Sequence, residues 1–445
     1  MNAGSVPGSL ARACRAVRPG GPRDAVGGLT PAWVASPVDA SEASALLAAA
    51  TEHELAVVPR GSGTTVSWGV PPRQLDLVID TLRLDRVIEH AAGDLVVRAQ
   101  AGVTMDQLAG VLATARQQLA LDIPPGPGHS GQASSPTVGG VLATGLAGPR
   151  RLRYGTPRDL LIGITVIRPD GTVTKSGGKV VKNVAGYDLG KLYAGSLGTL
   201  GLITEAIFRL HPLPAATAFV TAGYADPAAA AEGVAAAAGS DLAPTAIEID
   251  RPSRDGLVRV AVLLEGDPGG LSERASLMRG VLGAGTATLD AAPPWWGAGP
   301  ATPGTGAAAR ESGTLIQIGF WAAALPGVLD AVDAAGRAAG LDPAVAGSAA
   351  AGVLHAAVPG TAAPEALAAF LAGLRERLAR DLEPGFAGGE GPAARASAVV
   401  VRAPAAVQTL IDMWGPVPSL SLMRALKDQF DPGHLMAPGR FAGGI

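Results

Sequence analysis

Three glycine-rich segments hold the residues whose types and spacing suit chemistry. Val57 to Thr65, VVPRGSGTT, reads as a strand running into Gly61-Ser62-Gly63-Thr64. Two glycines in one tight turn let backbone N–H groups converge without Cβ clashes, giving an anion-binding nest suited to a pyrophosphate. The segment is not G-x-G-x-x-G and no helix is expected after it, so it is not the dinucleotide fingerprint of a doubly wound sheet. A plain turn is the alternative. Pro136 to Gly145, PTVGGVLATG, follows the turn-rich PPGPGHSGQASS. Here Thr137, Gly139, Gly140 and Thr144 would present small hydroxyl and amide donors along one wall, where bulkier side chains would hold the backbone away from phosphate and ring. An ordinary buried helix start is the alternative. In Gly195 to Leu210, GSLGTLGLITEAIFRL, the residues Gly195, Gly198 and Gly201 punctuate a loop that feeds a strand. Alternation puts Leu202, Thr204 and Ala206 on one face and Ile203, Glu205 and Ile207 on the other. Edge backbone groups of such a strand can pair with the rim of an adenine or isoalloxazine ring.

Other candidates stand outside these segments. His355, in GVLHAAVP, sits mid-strand, where an imidazole titrating near neutral pH could act as acid or base or be merely structural. His129 lies in the loop before the second segment. Tyr187-Asp188 either hydrogen-bond near a ring or anchor a turn; Trp295, Trp296 and Trp321 either shield a ring edge or pack; Arg402 either grips a carboxylate or ends a strand in solvent. Five of the 35 basic residues are lysines, leaving thirty arginines, and four of the five (Lys175, Lys179, Lys182 and Lys191) fall within KSGGKVVKNVAGYDLGK. This loop balances phosphates, meets an acidic partner surface, or is a solvated basic turn.

The elements that must position these residues follow from periodicity. From about 30 to 213, short β-type runs (LAVVPR, LDLVIDT, DLVVRAQAG, LIGITVIRPDG, GLITEAIFRL) alternate with helical stretches at 40–53 and 104–119. The pattern breaks at His211-Pro212-Leu213-Pro214. From there to about 400, Ala-rich helical segments alternate with strands at TAIEID, VRVAVLLEG, TLIQIGFW, GVLHAAVP and ASAVVVRAP, interrupted by two loops, PPWWGAGPATPGTGAAARESG and PGFAGGEGPAAR. From Ser419 a short helix leads into Asp431-Pro432-Gly433 and Pro438-Gly439 turns. Residues 1–28 carry four arginines and no apolar core of a secretory signal, and read as a loose tail.

Composition excludes several classes. The 35 basic and 38 acidic residues give a net charge of −3, and scattered arginines make no electrostatic footprint for nucleic acid. No apolar run approaches a spanning helix of roughly 18 residues. Cys14 is the single cysteine, which excludes an intrachain disulfide, a C-x-x-C zinc site and an iron–sulfur ligand set in this chain. The six histidines never lie within four positions of each other, so no local histidine cluster for metal or base chemistry is present, and no metal is expected.

The order PRGSGTT, PTVGG, RYGTPRDLLIGITVIRPDG, GYDLGKLYAGSLGTLGLITEA resembles the vanillyl-alcohol oxidase or PCMH-type FAD-binding domain. The string GGKVVKNVAGYDLGKLYAGSLGTLG is more similar still to the GlcE-type FAD-binding subunits of bacterial glycolate oxidases. The resemblance implies an α+β fold: a two-subdomain FAD-binding domain (29–213) after a disordered extension (1–28), then a reduced α+β cap-like domain (214–400) and a segment (401–445) returning to the FAD domain. It implies that Pro59, Arg60, Gly61, Ser62, Gly63, Thr64 and Thr65, with Thr137, Gly139 and Gly140, wrap the pyrophosphate, and that Thr144 also binds the cofactor. Gly195, Ser196, Gly198, Thr199, Gly201 and Ile203 would hold the ADP and flavin through main chain. Relatives that bind flavin covalently place a His in the first loop or a Cys in the second; neither is here, so non-covalent FAD is expected. The resemblance further implies a second FAD-containing catalytic subunit, an iron–sulfur subunit, a small 2-hydroxy acid such as glycolate or D-lactate as the complex's substrate, and a cytoplasmic site, peripheral to the inner membrane through partners. A self-sufficient FAD-linked dehydrogenase and an assembly subunit with structural FAD are the alternatives.

Overall fold

Alternation of β-branched residues with turn glycines builds two α+β units. The computed structural model describes residues 5–123, 126–127, 133–179, 187–301, 312–380 and 396–445. One unit comprises residues 1–147, 154–213 and 417–445; the other comprises 148–153 and 214–416. The chain thus leaves the first unit briefly at Gly148–Arg153, and again from Pro214 until it re-enters at Val417.

The first unit opens with α1 (Val6–Ala13) and β1 (Val17–Pro19), where a loose tail was expected. Ser5 caps α1, and Leu10 and Cys14 are buried. The apolar spacing Val6, Leu10, Ala13 is helical, a signal diluted in the sequence by the arginines around it. β1 pairs antiparallel with β2 (Trp33–Ala35). Helix α2 (Ala40–Glu52) then crosses over to β3 (Val57–Arg60), with β4 (Leu77–Asp80) between β2 and β3 and parallel to both. α2 buries Ala43, Leu46, Leu47 and Ala50, which share a core with Leu10 and Cys14 of the N-terminal segment; each fully buried leucine contributes about 1.5–3 kcal/mol.

A second, antiparallel sheet of this unit comprises β5 (Val87–Ala91), β6 (Val96–Gln100), β7 (Leu161–Ile167), β8 (Val173–Gly177) and β9 (Leu202–Arg209), in the order β8-β7-β9-β6-β5. Helix α3 (Met105–Ala113) is shorter than the expected 104–119, because Arg116 takes a positive φ of 55° and turns the chain into an extended pair at Gln117–Gln118. α4 (Val138–Thr144) packs Val141 and Leu142 into the core beneath this sheet.

In the second unit an eight-stranded antiparallel sheet runs β13-β10-β12-β11-β15-β16-β14-β17. Its strands are β10 (Ala216–Tyr224), β11 (Ala246–Arg251), β12 (Val258–Gly266), β13 (Ala287–Leu289), β14 (Thr314–Phe320), β15 (Ala344–Ser348), β16 (Val353–Val358) and β17 (Ala396–Arg402). Helices α5 (Pro227–Ala238), α6 (Pro268–Leu282), α7 (Leu325–Ala339) and α8 (Pro364–Arg380) pack with it. Residues 401–416, expected with the returning segment, stay here: Val400 N–H donates to Met413 O at 2.7 Å, and Arg375 of α8 donates to the carbonyls of Asp412 and Met413. The Pro/Gly-rich loop 384–395 lies outside the described residues. No helix among the described residues is long and apolar enough to cross a membrane.

The segment from 417 is held in the first unit by a buried ion pair. α9 (Leu420–Phe430) presents Lys427 to Asp431, both 0% exposed. Lys427 Nζ donates to Asp431 Oδ2 (2.6 Å), Thr199 O (2.7 Å) and Met436 O (2.9 Å), while Asp431 accepts from the N–H groups of Leu435 and Met436. Burial pulls the Lys427 ammonium below its ordinary value, and Asp431 opposes that pull. The next turn pairs with β3, Leu435 O accepting from Val57 N–H at 2.8 Å and Ala437 N–H donating to Val57 O at 2.7 Å. Replacing Lys427 with Met leaves Asp431 buried without its cation and is expected to cost about 3–5 kcal/mol. Lys427→Met/Asp431→Asn should recover part of that loss in urea unfolding.

Candidate functional site

β3 ends at Arg60 and releases the chain into Gly61-Ser62-Gly63-Thr64, with no helix after it. Gly63 has φ 80°, a conformation open to glycine at little cost. Opposite lies the start of α4, whose N-cap Thr137 accepts from Gly140 N–H through its hydroxyl. The two segments are so close that a Cβ on Gly61 would sit 2.2 Å from Thr137 Oγ1, and one on Gly139 2.9 Å from Ala101 Cβ. The third loop is tied to α4: Gly195 N–H donates to Leu142 O (2.9 Å) and Leu197 N–H to Ala143 O (2.8 Å). Its far end is fixed by Lys427 at Thr199 O.

Between these segments run two adjoining clefts of about 480 and 420 Å³, which share Pro59, Arg60, Gly61, Gly140, Ala143 and Leu197. Ser62, Gly63, Thr64, Thr65, Thr137 and Thr144 line the first; Gly139, Gly198, Gly201 and Ile203 line the second. The structure therefore brings together most of the residues singled out in the sequence. Gly195, Ser196 and Thr199 stand apart from the lining. Ser196 and Thr199 are buried, and their hydroxyls donate to the carbonyls of Tyr193 (2.8 Å) and Ser196 (2.7 Å), which stiffens the loop from behind. The lining also includes Thr81, Ala101, Leu197 and Arg440, which sequence reasoning did not mark. Of these, Leu197 lay within a recognised loop, whereas Arg440 had no signal beyond the Pro438-Gly439 turn before it.

The cleft fits a flavin dinucleotide on its own evidence. Its walls include glycines, and at Gly61, Gly139 and Gly201 an added methyl would clash with the protein. Several buried polar atoms of its lining residues lack a protein partner: Ser62 Oγ, Arg60 Nε and Nη1, and Arg440 Nε. Such groups are costly unless a ligand or water satisfies them. Arg60 is held by Asp24 (3.1 Å) and Asp80 (3.5 Å), and Asp24 is also gripped at both oxygens by Arg18 (2.7 Å each). Arg18 first, then Arg60, hold the Asp24 carboxyl well below its usual range against its burial. The N-terminal segment thus reaches the cradle through one carboxylate.

The remaining candidates are dispersed. His129 and Lys182 lie outside the described residues. Lys179 pairs with Glu89, and Lys191 with Asp188 at 3.4 Å, both near the surface. Tyr187 is exposed. Trp296 packs edge-on to Phe219 at 5.0 Å, and Trp295 lies under Arg259 at 5.6 Å, while Trp321 is exposed. Arg402 ends β17. His53, His90 and His434 bond to Ser9, Gln117 and Asp428. Among the described residues no three His, Cys, Asp or Glu are grouped to hold a metal.

His355 stands in β16 of the second unit. Strand register places it on the same sheet face as Glu248, Glu265 and Ser348. Ser348 Oγ donates to Glu248, and Arg150 Nε donates to Glu265 at 2.7 Å. Burial first, then the neighbouring Arg151 cation, lower the His355 imidazole to about 4. It is therefore neutral at physiological pH, able to accept a proton only weakly.

Comparison with known proteins supplies the family. A family model described as FAD binding domain matches residues 31–177. The chain is 35% identical over 225 residues to the glycolate oxidase subunit GlcD of Bacillus subtilis, a match covering 50% of this chain and 46% of that protein. It is 38% identical over 179 residues to a D-lactate dehydrogenase of Archaeoglobus fulgidus, covering 40% and 38%. It is 39% identical over 131 residues to the glycolate oxidase subunit GlcE of Escherichia coli, covering 29% and 36%. The matches thus span under half the length of each of these relatives. In fold, the structure of p-cresol methylhydroxylase with substrate bound aligns over 98% of this chain and 96% of that one, with a TM-score of 0.73 at 15% identity. From the family match and the glycine-walled cleft together, the chain carries, over residues 31–177, an FAD-binding domain of the PCMH type.

Proposed function

We propose that this chain is the FAD-binding subunit of a glycolate oxidase-like complex that oxidises a small 2-hydroxy acid, working with a second flavin-containing catalytic subunit and an iron–sulfur subunit that removes electrons. The observation that carries this reading is the cleft itself. Its lining combines glycines, Ser and Thr hydroxyls and two arginines with small and aliphatic residues such as Ala143, Leu197 and Ile203, and neither a histidine nor a cysteine is among the residues given above. Such walls hold a dinucleotide through main-chain donors and leave the flavin without a covalent anchor. Bound there, FAD would supply two-electron acceptance; the chain's residues supply position, charge and shelter from water. Cys14 is the single cysteine in the sequence, so onward transfer through an iron–sulfur cluster needs another chain. Two relatives are themselves named as subunits of glycolate oxidase, which supports the assembly.

A second reading, a self-sufficient 2-hydroxy-acid dehydrogenase, is favoured by the D-lactate dehydrogenase relative and by the Arg151–His355 neighbourhood in the second unit.

Three outcomes test these readings, and a fourth tests the protonation of His355. Acid precipitation should release all yellow chromophore into the supernatant, and colour retained in the pellet would contradict non-covalent binding. Purified chain mixed anaerobically with glycolate or D-lactate should keep its oxidised flavin spectrum; rapid bleaching would favour the second reading. Gly61→Ala, which drives a methyl against Thr137, is expected to weaken FAD binding by at least about tenfold, read by fluorescence titration. The fourth follows from His355, which takes a proton near 6.5 in the unfolded chain and near 4 when folded. Its contribution to stability is therefore complete above pH 6.5 and falls as pH drops towards 4. His355→Gln should flatten the melting temperature across that window.

A further inference from the structure

Two arginines line the cradle, and their charges are balanced differently. Arg60 faces Asp24 and Asp80. Arg440, at the turn after Pro438-Gly439, is 6% exposed. Its Nη2 donates to the carbonyls of Val66 and Trp68 at 2.6 Å each, and its Nε has no partner. These carbonyls fix the guanidinium in place without neutralising it. Among the described residues no carboxylate opposes it, and burial alone pulls it down to about 10. A buried, uncompensated cation is costly. This one lines the same cleft as Ser62, whose buried hydroxyl is likewise unpartnered, and as the Gly61–Gly63 turn. The turn is built to hold Arg440 there: Gly439 has φ 86°, a Cβ on it would meet Arg73 Cγ at 2.6 Å, and Arg73 N–H donates to Pro438 O at 2.8 Å.

We propose that Arg440 is an anion-binding residue of the cradle, the counter-charge for the ligand's diphosphate, and that it selects phosphorylated flavin over riboflavin. The inference rests on the FAD-binding reading and adds the residue that pairs with the diphosphate. Arg440 reaches the cleft from a part of the chain far in sequence from all three glycine-rich segments. It supplies the full positive charge that main-chain N–H groups lack, in a dry site where a charge-assisted hydrogen bond is strong.

The test uses the full chain, stripped of flavin and titrated with FAD, ADP and riboflavin at several salt concentrations. Arg440→Gln should weaken FAD and ADP by a similar factor, about ten- to a hundredfold, and leave riboflavin unchanged. Its FAD affinity should depend less on salt than that of the unaltered protein. The flavin-free Arg440→Gln protein should still fold and melt cooperatively, so that its loss of FAD is read on a folded protein. Arg440→Lys should keep most of the FAD affinity and the salt dependence. Unchanged FAD binding by Arg440→Gln would overturn the proposal. So would equal loss of FAD and riboflavin with a lowered melting temperature, the mark of a residue that only props up the loop. If Arg440→Gln does not fold, a folded Arg440→Lys that has lost FAD but kept riboflavin would likewise overturn it. Failure of the unaltered protein to take up FAD would instead overturn the FAD-binding reading beneath it.

Discussion

A single ammonium group in a dry interior organises the dinucleotide cradle. Lys427 offers three protons and has three acceptors, one a carboxylate and two main-chain carbonyls. Because the group is charged and excluded from water, none of the three can be lost cheaply, and each belongs to a different part of the chain: α9's own end, the third glycine loop and the turn beside β3. Asp431 repeats the device with two N–H groups of the following turn. Loops that carry little side chain have few ways to hold themselves still, and here stillness is supplied from behind. The front of the cradle can then be nearly bare backbone.

Bareness and charge divide the work of recognition. Gly61 and Gly139 are tightly enclosed by Thr137 and Ala101, so the two walls approach to a distance no other residue allows. Arg60 is neutralised by carboxylates from the N-terminal segment and from β4, and serves the architecture as much as the ligand. The polar face of the second unit's sheet follows the opposite scheme. Arg150 meets Glu265 and Ser348 meets Glu248 within the protein, while His355 is kept uncharged by its surroundings.

Local patterning made most of this legible. The strand runs and the glycine loops are properties of five to ten residues, and VVPRGSGTT or GSLGTLG declare themselves without knowledge of what lies opposite. The errors arose where the deciding contact is distant. Leu10 and Cys14 look like part of an arginine-rich tail until α2 provides the apolar surface they cover. The scarcity of lysine drew attention to the run from Lys175 to Lys191, of which Lys179 and Lys191 form exposed ion pairs. The deeply buried ammonium belongs to the fifth lysine, whose acceptor at Thr199 is 228 positions away. Arg440 was invisible for the same reason, since its two acceptors lie 374 and 372 positions earlier.

These separations set an order of events in time. β3, the three glycine-rich segments and the whole second unit are synthesised before Lys427, Met436 and Arg440, the residues that brace the cradle. A nascent chain that has reached Pro416 holds every glycine of the cradle and none of its C-terminal braces, and closing loops of that length is slow. A cut between Pro416 and Lys427 would sever the glycine-rich segments from Lys427 and Arg440 while leaving their sequence motifs intact.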